Sequence, residues 1–352
     1  MQAFTRARIG VSMARMSKAT LNDVATRAGV STATVSRVLN SPAVVQPATR
    51  DRVEAAISEL GYTPNFGARV LAAKRTNTIG AIVPTLENAI FARGLEAFQQ
   101  ELSRRGITLL VASSSYSPEV EEAQLRALVS RGADAILLIG YDRDARVYDY
   151  LRQNGTPYVI AWAHDPLQPH PSVGFDNRRA MQALAERVIA QGHRRIGFVS
   201  ARREGNDRAR NRWLGALDAT RAAGLADGDV TLVETVYSIE AGRAALRQLM
   251  AQDPRPTAVI CGNDVLAAGA LLEAGAMGVA VPDALSITGF DDIEIAEILT
   301  PALTTVHVPH RRMGEIAADL LTSRIGGAAD AAASRVIETE IVMRGTLGPA
   351  PD

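Results

Sequence analysis

Thr20-Leu-Asn-Asp-Val-Ala-Thr-Arg-Ala-Gly-Val-Ser-Thr-Ala-Thr-Val-Ser-Arg-Val-Leu-Asn40 reads as two short helices joined by a tight turn. Leu21, Val24, Ala25 and Ala28 recur at the i, i+3, i+4, i+7 spacing of one apolar helix face. Gly29 supplies the left-handed conformation that a tight helix-to-helix turn wants, and Val30 can fill the space between the helices. Ser31 suits the N-cap of the second helix, whose inner side carries Val35, Val38 and Leu39. Its outer side carries Ala33, Arg37 and Asn40, flanked by Thr32 and Ser36. Short polar side chains with one Arg, and no Glu/Lys pairs of a merely solvated helix, suit a DNA major groove. A plain helical hairpin is the competing reading.

The 352 residues are 47 % hydrophobic and 22 % charged, a globular balance with room for a small domain and one or two larger ones. Formal charge is zero overall but unevenly spread. Residues 1–76 hold 11 Lys+Arg against 4 Asp+Glu, and the remainder 27 against 34. A basic head on an acidic body suits a polyanion partner held at the N-terminus. Cys261 is the only cysteine, so no intrachain disulfide forms and a reducing cytoplasm is expected. There is no CxxC or HExxH metal pattern and no apolar run of about 18 residues to span a membrane. The opening segment has Arg6, Arg8 and Arg15 but no apolar core of a secretory signal. It reads as a disordered basic extension, with Met13 and Met16 as alternative starts.

A third helix is predicted over 48–60, with Val53, Ala56, Ile57 and Leu60 as its stripe and Gly61 to end it. Thr49 and Arg50 at its N-terminus can hold a phosphate, and a solvated surface is an equal reading for Arg50. Residues 62–76 have linker composition, yet 68–73 can form a turn or two of helix that is marginal alone. From Thr78 the texture changes. Apolar strands at 79–84, 107–113, 135–140 and 158–162 alternate with helices, one of them over 119–131. A second series places strands at 195–200, 230–234, 258–262, 285–290 and 303–308. Its helices lie near 208–223, 238–251, 264–276, 293–299 and 309–325. Short apolar strands between amphipathic helices mean parallel sheets, and two such series suggest two lobes with a cleft.

Ligands of open α/β sheets bind beyond the carboxyl ends of the strands. Those positions hold Asn88, Phe91, Ser113–Ser115, Trp162, Asp176, Asn177, Arg212, Asn263, Asp264, Asp291 and Asp292. Carboxylate, amide and guanidinium groups with an aromatic plane suit a polyhydroxylated ligand. Each also has an ordinary use: Trp162 as core, Asp291 as a helix cap, Arg212 as partner of a lobe carboxylate. An enzyme is not expected. No GxGxxG follows a strand, no GxxxxGK[ST] or GxSxG occurs, and Ser113–Ser115 has no evident base. His193 precedes a strand, and His164 and His170 lie in a Pro-rich loop without metal-ligand spacing. No catalytic residue, metal or cofactor is expected.

Asp23-Val-Ala, Ala28-Gly-Val-Ser and Thr34-Val-Ser-Arg-Val-Leu-Asn resemble the helix-turn-helix of the LacI/GalR family of bacterial regulators. The resemblance extends over about residues 18–345. It includes Val173-Gly-Phe-Asp-Asn177, Gln191-Gly-His-Arg-Arg195, Arg212-Trp-Leu-Gly215, Cys261-Gly-Asn-Asp264, Gly289-Phe-Asp-Asp292 and Pro301-Ala-Leu-Thr-Thr305. It implies a small all-α helix-turn-helix head plus hinge helix, then an α/β two-lobed, periplasmic-binding-protein-like core with parallel sheets. The expected domains are the extension 1–17, the head 18–63, the hinge and linker 64–76, the effector-binding and dimerisation core 77–345, and a tail 346–352.

On the same resemblance the hinge helix folds where two copies meet on DNA, and Leu71 is a wedge inserted into the minor groove. Asn65, Ala68 and Ala72 are its close contacts, while Phe66-Gly67 departs from the usual hinge pattern. The DNA-binding set is Leu21, Thr32, Ala33, Thr34, Ser36, Arg37, Asn40, Thr49 and Tyr62, with those hinge residues. The effector set is Asn88, Phe91, Trp162, Asp176, Arg212, Asn263 and Asp291. The implied protein is a cytoplasmic homodimeric repressor of operator DNA, controlled by a small sugar or sugar acid. Val83-Pro-Thr-Leu-Glu-Asn-Ala-Ile-Phe91 and Pro309-His-Arg-Arg-Met-Gly314 lean it towards the gluconate-operon subgroup. Two alternatives stand: a purine-type regulator whose ligand strengthens DNA binding, and a sugar-binding protein of a transporter. The latter predicts a signal peptide and no DNA-binding head.

Overall fold

The computed structural model describes residues 19–63, 75–87, 89–327 and 334–351, with the side chains of Asn40 and Asp227 set aside. The chain divides into two compact units, 1–76 and 77–352.

In the first unit, α1 (Leu21–Ala28) opens on a capping box in which Thr20 and Asp23 satisfy each other's backbone N–H. Gly29 ends it in the left-handed region, at φ 65°. Ser31 caps α2 (Thr32–Asn40) by accepting the Thr34 N–H, and α3 (Pro47–Leu60) begins with proline and ends at Gly61. Val24, Ala25 and Ala28 pack with Val35, Val38, Val53 and Ala56 into one small core, with Val30 and Leu39 against it. The predicted apolar faces are the ones buried. The loop between α2 and α3 contains a short 3-10 turn at Pro42–Val44.

The second unit holds two parallel sheets. In the first, β1 (Thr78–Val83), β2 (Thr108–Ser113), β3 (Ala135–Ile139), β4 (Tyr158–Ala161), β5 (Ser172–Gly174) and β11 (Arg335–Val336) run in the order β11-β5-β4-β3-β1-β2. In the second, β6 (Ile196–Ala201), β7 (Val230–Thr235), β8 (Ala258–Cys261) and β9 (Ser286–Thr288) run β7-β6-β8-β9. A separate antiparallel pair joins β10 (Thr305–His307) to β12 (Glu340–Val342). β1, β3 and β8 are buried throughout, as strands covered on both faces must be.

Helices cover the sheets in pairs. α4 (Ala89–Arg104) packs on α12 (His310–Ile325), α7 (Asn177–Ala190) on α8 (Asp207–Ala222), and α9 (Ile239–Met250) on α10 (Asp264–Ala276). Each pair crosses over glycine: a Cβ on Gly314, Gly215 or Gly269 would stand 2.1, 2.0 or 2.0 Å from a backbone oxygen of the partner helix.

The lobes are not consecutive in sequence. The chain leaves the first lobe after β5, returns to it with α12 and β11, and leaves again for β12. The order of strand and helix alone gives two successive series, so this return is a correction. Five elements were also missed: α6 (Ala145–Gln153), short and highly charged but capped by Asp144; α7, which starts directly behind the Asp176 cap; β5, only three residues long in a Pro-rich surround; and the two- and three-residue strands β11 and β12. Residues 346–351, expected as part of a tail, form a strap along the second lobe. Ile287 N–H donates to Thr346 O at 2.8 Å, and buried His193 lies 3.1 Å through Nε2 from Gly348 O.

Candidate functional site

On the head, Thr32, Ala33 and Arg37 are exposed on one side of α2, opposite buried Val35 and Val38. Ser36 is half-buried, and so is Thr34, whose hydroxyl lies 3.0 Å from that of Ser31. Thr49 is half-buried in the first turn of α3. Leu21 and Tyr62 are half-buried against the head's core, which gives both a packing role. Asn65, Ala68, Leu71 and Ala72, and Asn88 of the effector set, lie outside the described residues.

In the two-lobed unit, Arg212 is the centre. It is buried on α8, with its guanidinium carbon 3.7 Å from the Phe290 ring centroid. Nε donates to Asn177 Oδ1 at 2.9 Å, Nη1 to Gly262 O at 2.6 Å and Nη2 to Asp291 Oδ1 at 3.2 Å. The other oxygen of Asp291, Oδ2, is buried without a hydrogen-bond partner. Asn263 caps α10, its Oδ1 accepting the Leu266 N–H at 2.9 Å, while its Nδ2 is likewise buried and unpartnered. An acceptor and a donor thus stand without hydrogen-bond partners beside a buried cation, where an unpaired buried polar group is costly.

Burial pushes the Asp291 carboxyl up to about 6, with the Arg212 guanidinium limiting the rise. Its backbone sits at φ 103°, a left-handed value rare for a non-glycine residue. Asp264 behind it is raised well above the usual carboxylate range, by burial first and then by Asp291. Thr305 Oγ1 donates to it at 2.5 Å and Ile293 N–H at 2.8 Å, so it braces the loop that carries Asp291.

Phe91 and Trp162 lie beneath this floor, in the first lobe's core. Their rings meet edge-on at 5.5 Å, and Trp162 Nε1–H donates to His310 Nδ1 at 3.1 Å. The other His310 nitrogen lies 3.3 Å from Asp291 O, so it carries the proton. Burial lowers this imidazole to about 3 and keeps it neutral. Asp176 does not join the group. It is exposed and caps α7 by accepting the Arg178 and Arg179 N–H groups, and its neighbour Asn177 turns inward to hold Arg212 and the Trp162 carbonyl.

Strand-end reasoning stopped short of two residues. Tyr116 follows β2 and Tyr237 follows β7, and their rings meet from opposite lobes with centroids 6.1 Å apart. They form the wall shared by two cavities of about 470 and 430 Å³. Both hydroxyls are pushed up by burial and feel the charges of Arg208, Arg212 and Asp291. Ser115 and Tyr116 both have positive φ, 52° and 60°. The rule that selected Ser113–Ser115 would have found both tyrosines one step further along and on the strand it passed over. Among the described residues no cluster of His, Cys, Asp or Glu could hold a metal ion, and no helix is long and apolar enough to cross a membrane.

Known proteins match both units. Residues 20–65 match the bacterial regulatory proteins of the lacI family, and residues 185–347 a periplasmic binding protein-like domain. The HTH-type transcriptional repressor PurR of Erwinia tasmaniensis is 34 % identical over 336 residues, 95 % of this chain and 98 % of the relative. The HTH-type transcriptional regulator GntR of Escherichia coli K12 is 34 % identical over 307 residues, 87 % of this chain and 92 % of the relative. The Lac repressor dimer bound to operator and the anti-inducer ONPF superposes with a TM-score of 0.83 at 26 % identity, covering 94 % of this chain and all of that one. With a helix-turn-helix head, two parallel-sheet lobes and full-length relatives that are transcriptional regulators, the chain belongs to the LacI family and is a DNA-binding transcriptional regulator.

Proposed function

We propose that the protein is a cytoplasmic repressor that works as a homodimer. Two heads occupy the half-sites of a pseudo-palindromic operator, with Thr32, Ala33 and Arg37 at the base edges. Arg37 can bond a guanine bidentately and Ala33 can take a thymine methyl. The hinge, with Leu71 as its wedge, contributes by bending the operator centre. The effector is a small sugar or sugar acid held between the lobes, and its binding lowers operator affinity.

The unsatisfied Asp291 Oδ2 and Asn263 Nδ2 beside Arg212 carry this reading. A hydroxyl group can donate to the first and accept from the second, and neighbouring hydroxyls can reach both. A thermal-shift screen of sugars, sugar acids and purines, followed by operator binding with each hit, tests it. A sugar or sugar acid that stabilises the protein and weakens operator binding is expected. The Tyr116–Tyr237 pair favours a second reading, a flat purine that stacks on the rings and strengthens operator binding. The sign of the effect on DNA separates the two.

A further inference from the structure

The lobes also meet along a seam at the carboxyl end of β3. In the first sheet β3 lies between β5, after which the chain crosses to the other lobe, and β2, which leads to Tyr116 at the cavities. Gly140, Tyr141 and Asp142 of the first lobe face Asp207, Arg208 and Arg210 in the first turn of α8.

Arg210 makes two parallel bonds to Asp142, Nη1 to Oδ2 and Nη2 to Oδ1, each 2.6 Å. Beneath them buried Asp207 accepts the Tyr141 backbone N–H at 2.7 Å through Oδ2, and Arg208 Nη1 at 2.9 Å through Oδ1. The approach leaves no room for a side chain at Gly140. A Cβ there would stand 2.0 Å from the Arg208 guanidinium and 2.3 Å from the Asp207 carboxylate.

Opening the lobes along this seam separates a bidentate guanidinium–carboxylate pair and strips a buried carboxylate of a backbone donor. Both are charge-assisted bonds, stronger than neutral ones, and the second leaves a buried group unsatisfied. Every partner belongs to the chain itself.

We propose that this seam is a latch that holds the lobes closed before any ligand arrives. Asp142 and Arg210 then act as positioning residues. They set the ratio of closed to open molecules, and with it the apparent affinity for any ligand that must touch both lobes. The proposal rests on the reading of the cleft as the effector site, but its test uses no ligand, so the two can fail separately.

The test is double electron–electron resonance between nitroxides at Val120→Cys and Glu204→Cys, one on each lobe, in the full chain diluted with unlabelled protein. Cys261 is buried, with its thiol pushed up by burial, and stays unlabelled. The otherwise unsubstituted protein should give one narrow distance distribution. Asp142→Arg sets two guanidinium groups against each other and should raise the open fraction at least fivefold, seen as a longer component. The charge swap Asp142→Arg/Arg210→Asp should restore the narrow distribution. Gly140→Ala, which drives a Cβ at a left-handed position against Arg208 and Asp207 while keeping Asp142 and Arg210, should add the longer component by itself. A broad distribution in the unsubstituted protein overturns the latch. So does an unchanged distribution in both Asp142→Arg and Gly140→Ala, or a charge swap that fails to restore closure.

Discussion

Arg212 donates to one oxygen of Asp291 at 3.2 Å and leaves the other oxygen of the same buried carboxylate without a partner. The pair neutralises charge while keeping an acceptor free. Such a half-used carboxylate can accept from a hydroxyl, and its protonation state matters at ordinary pH.

The Asp291 carboxyl is raised to about 6 in the folded chain against 3.8 for its ordinary value. Between those values the folded state holds a proton that the unfolded chain has released. This group therefore favours folding more at the acid end, and that contribution is lost as pH rises through about 6. Ligand binding runs the other way, because only the ionised form offers two acceptors. Affinity for the effector found by screening should fall as pH drops below about 6, by up to about tenfold per unit. Asp291→Asn should bind weakly and show no such dependence. Titration calorimetry from pH 5 to 8 reads both, and a flat profile in the unsubstituted protein removes Asp291 from the contact.

Arg212 cannot be removed cleanly. Arg212→Ala leaves Asp291 buried without its cation and Gly262 O without its donor, at about 3–5 kcal/mol for a broken buried pair. Arg212→Lys keeps the charge but loses the planar fork that reaches Asn177, Gly262 and Asp291 together. Both variants should lose the effector response, Arg212→Ala with a clear fall in melting temperature and Arg212→Lys with a smaller one. If Arg212→Ala melts unchanged, the pairing has no structural weight.

On the head, Arg37 is exposed on the face of α2 opposite the buried valines. Arg37→Ala should cost about 1–3 kcal/mol of operator binding and relax preference at one base position. Fluorescence anisotropy with the operator and with scrambled DNA distinguishes the outcomes. Equal loss on both would make Arg37 a phosphate contact and leave sequence reading to Thr32, Ala33 and the hinge.

The head was legible because its elements are local. Thr20, Gly29, Ser31 and Gly61 act within a few residues of where they stand, so caps and turns follow from spacing. The sheets were legible because fully buried strands are short apolar runs. What sequence could not give were relations across the cleft. The return of α12 to the first lobe brings His310 between Trp162 and Asp291, 148 and 19 positions away in sequence. Asp176 and Asn177 are adjacent polar residues at a strand end, and only the helix start separates a cap from the inward side chain that holds Arg212. Family resemblance named Arg212, Asn263 and Asp291 together, whereas strand ends alone offered them among many candidates.

The C-terminal strap gives a test of the fold that is independent of ligand and DNA. Ile287 N–H donates to Thr346 O at 2.8 Å and Thr304 N–H to Thr346 Oγ1 at 2.9 Å. His193 and Ser286 both approach Gly348 O, and Ala350 N–H donates to Gln191 O at 2.8 Å. Ending the chain at Gly345 leaves the Ile287 and Thr304 amides and the His193 imidazole inside the second lobe without these partners. At roughly 1–3 kcal/mol for each buried group left unpaired, the loss should exceed about 3 kcal/mol. A free tail would cost nothing. Chemical denaturation of the truncated and full chains measures the difference, and equal midpoints would mean that the strap does not hold the second lobe together.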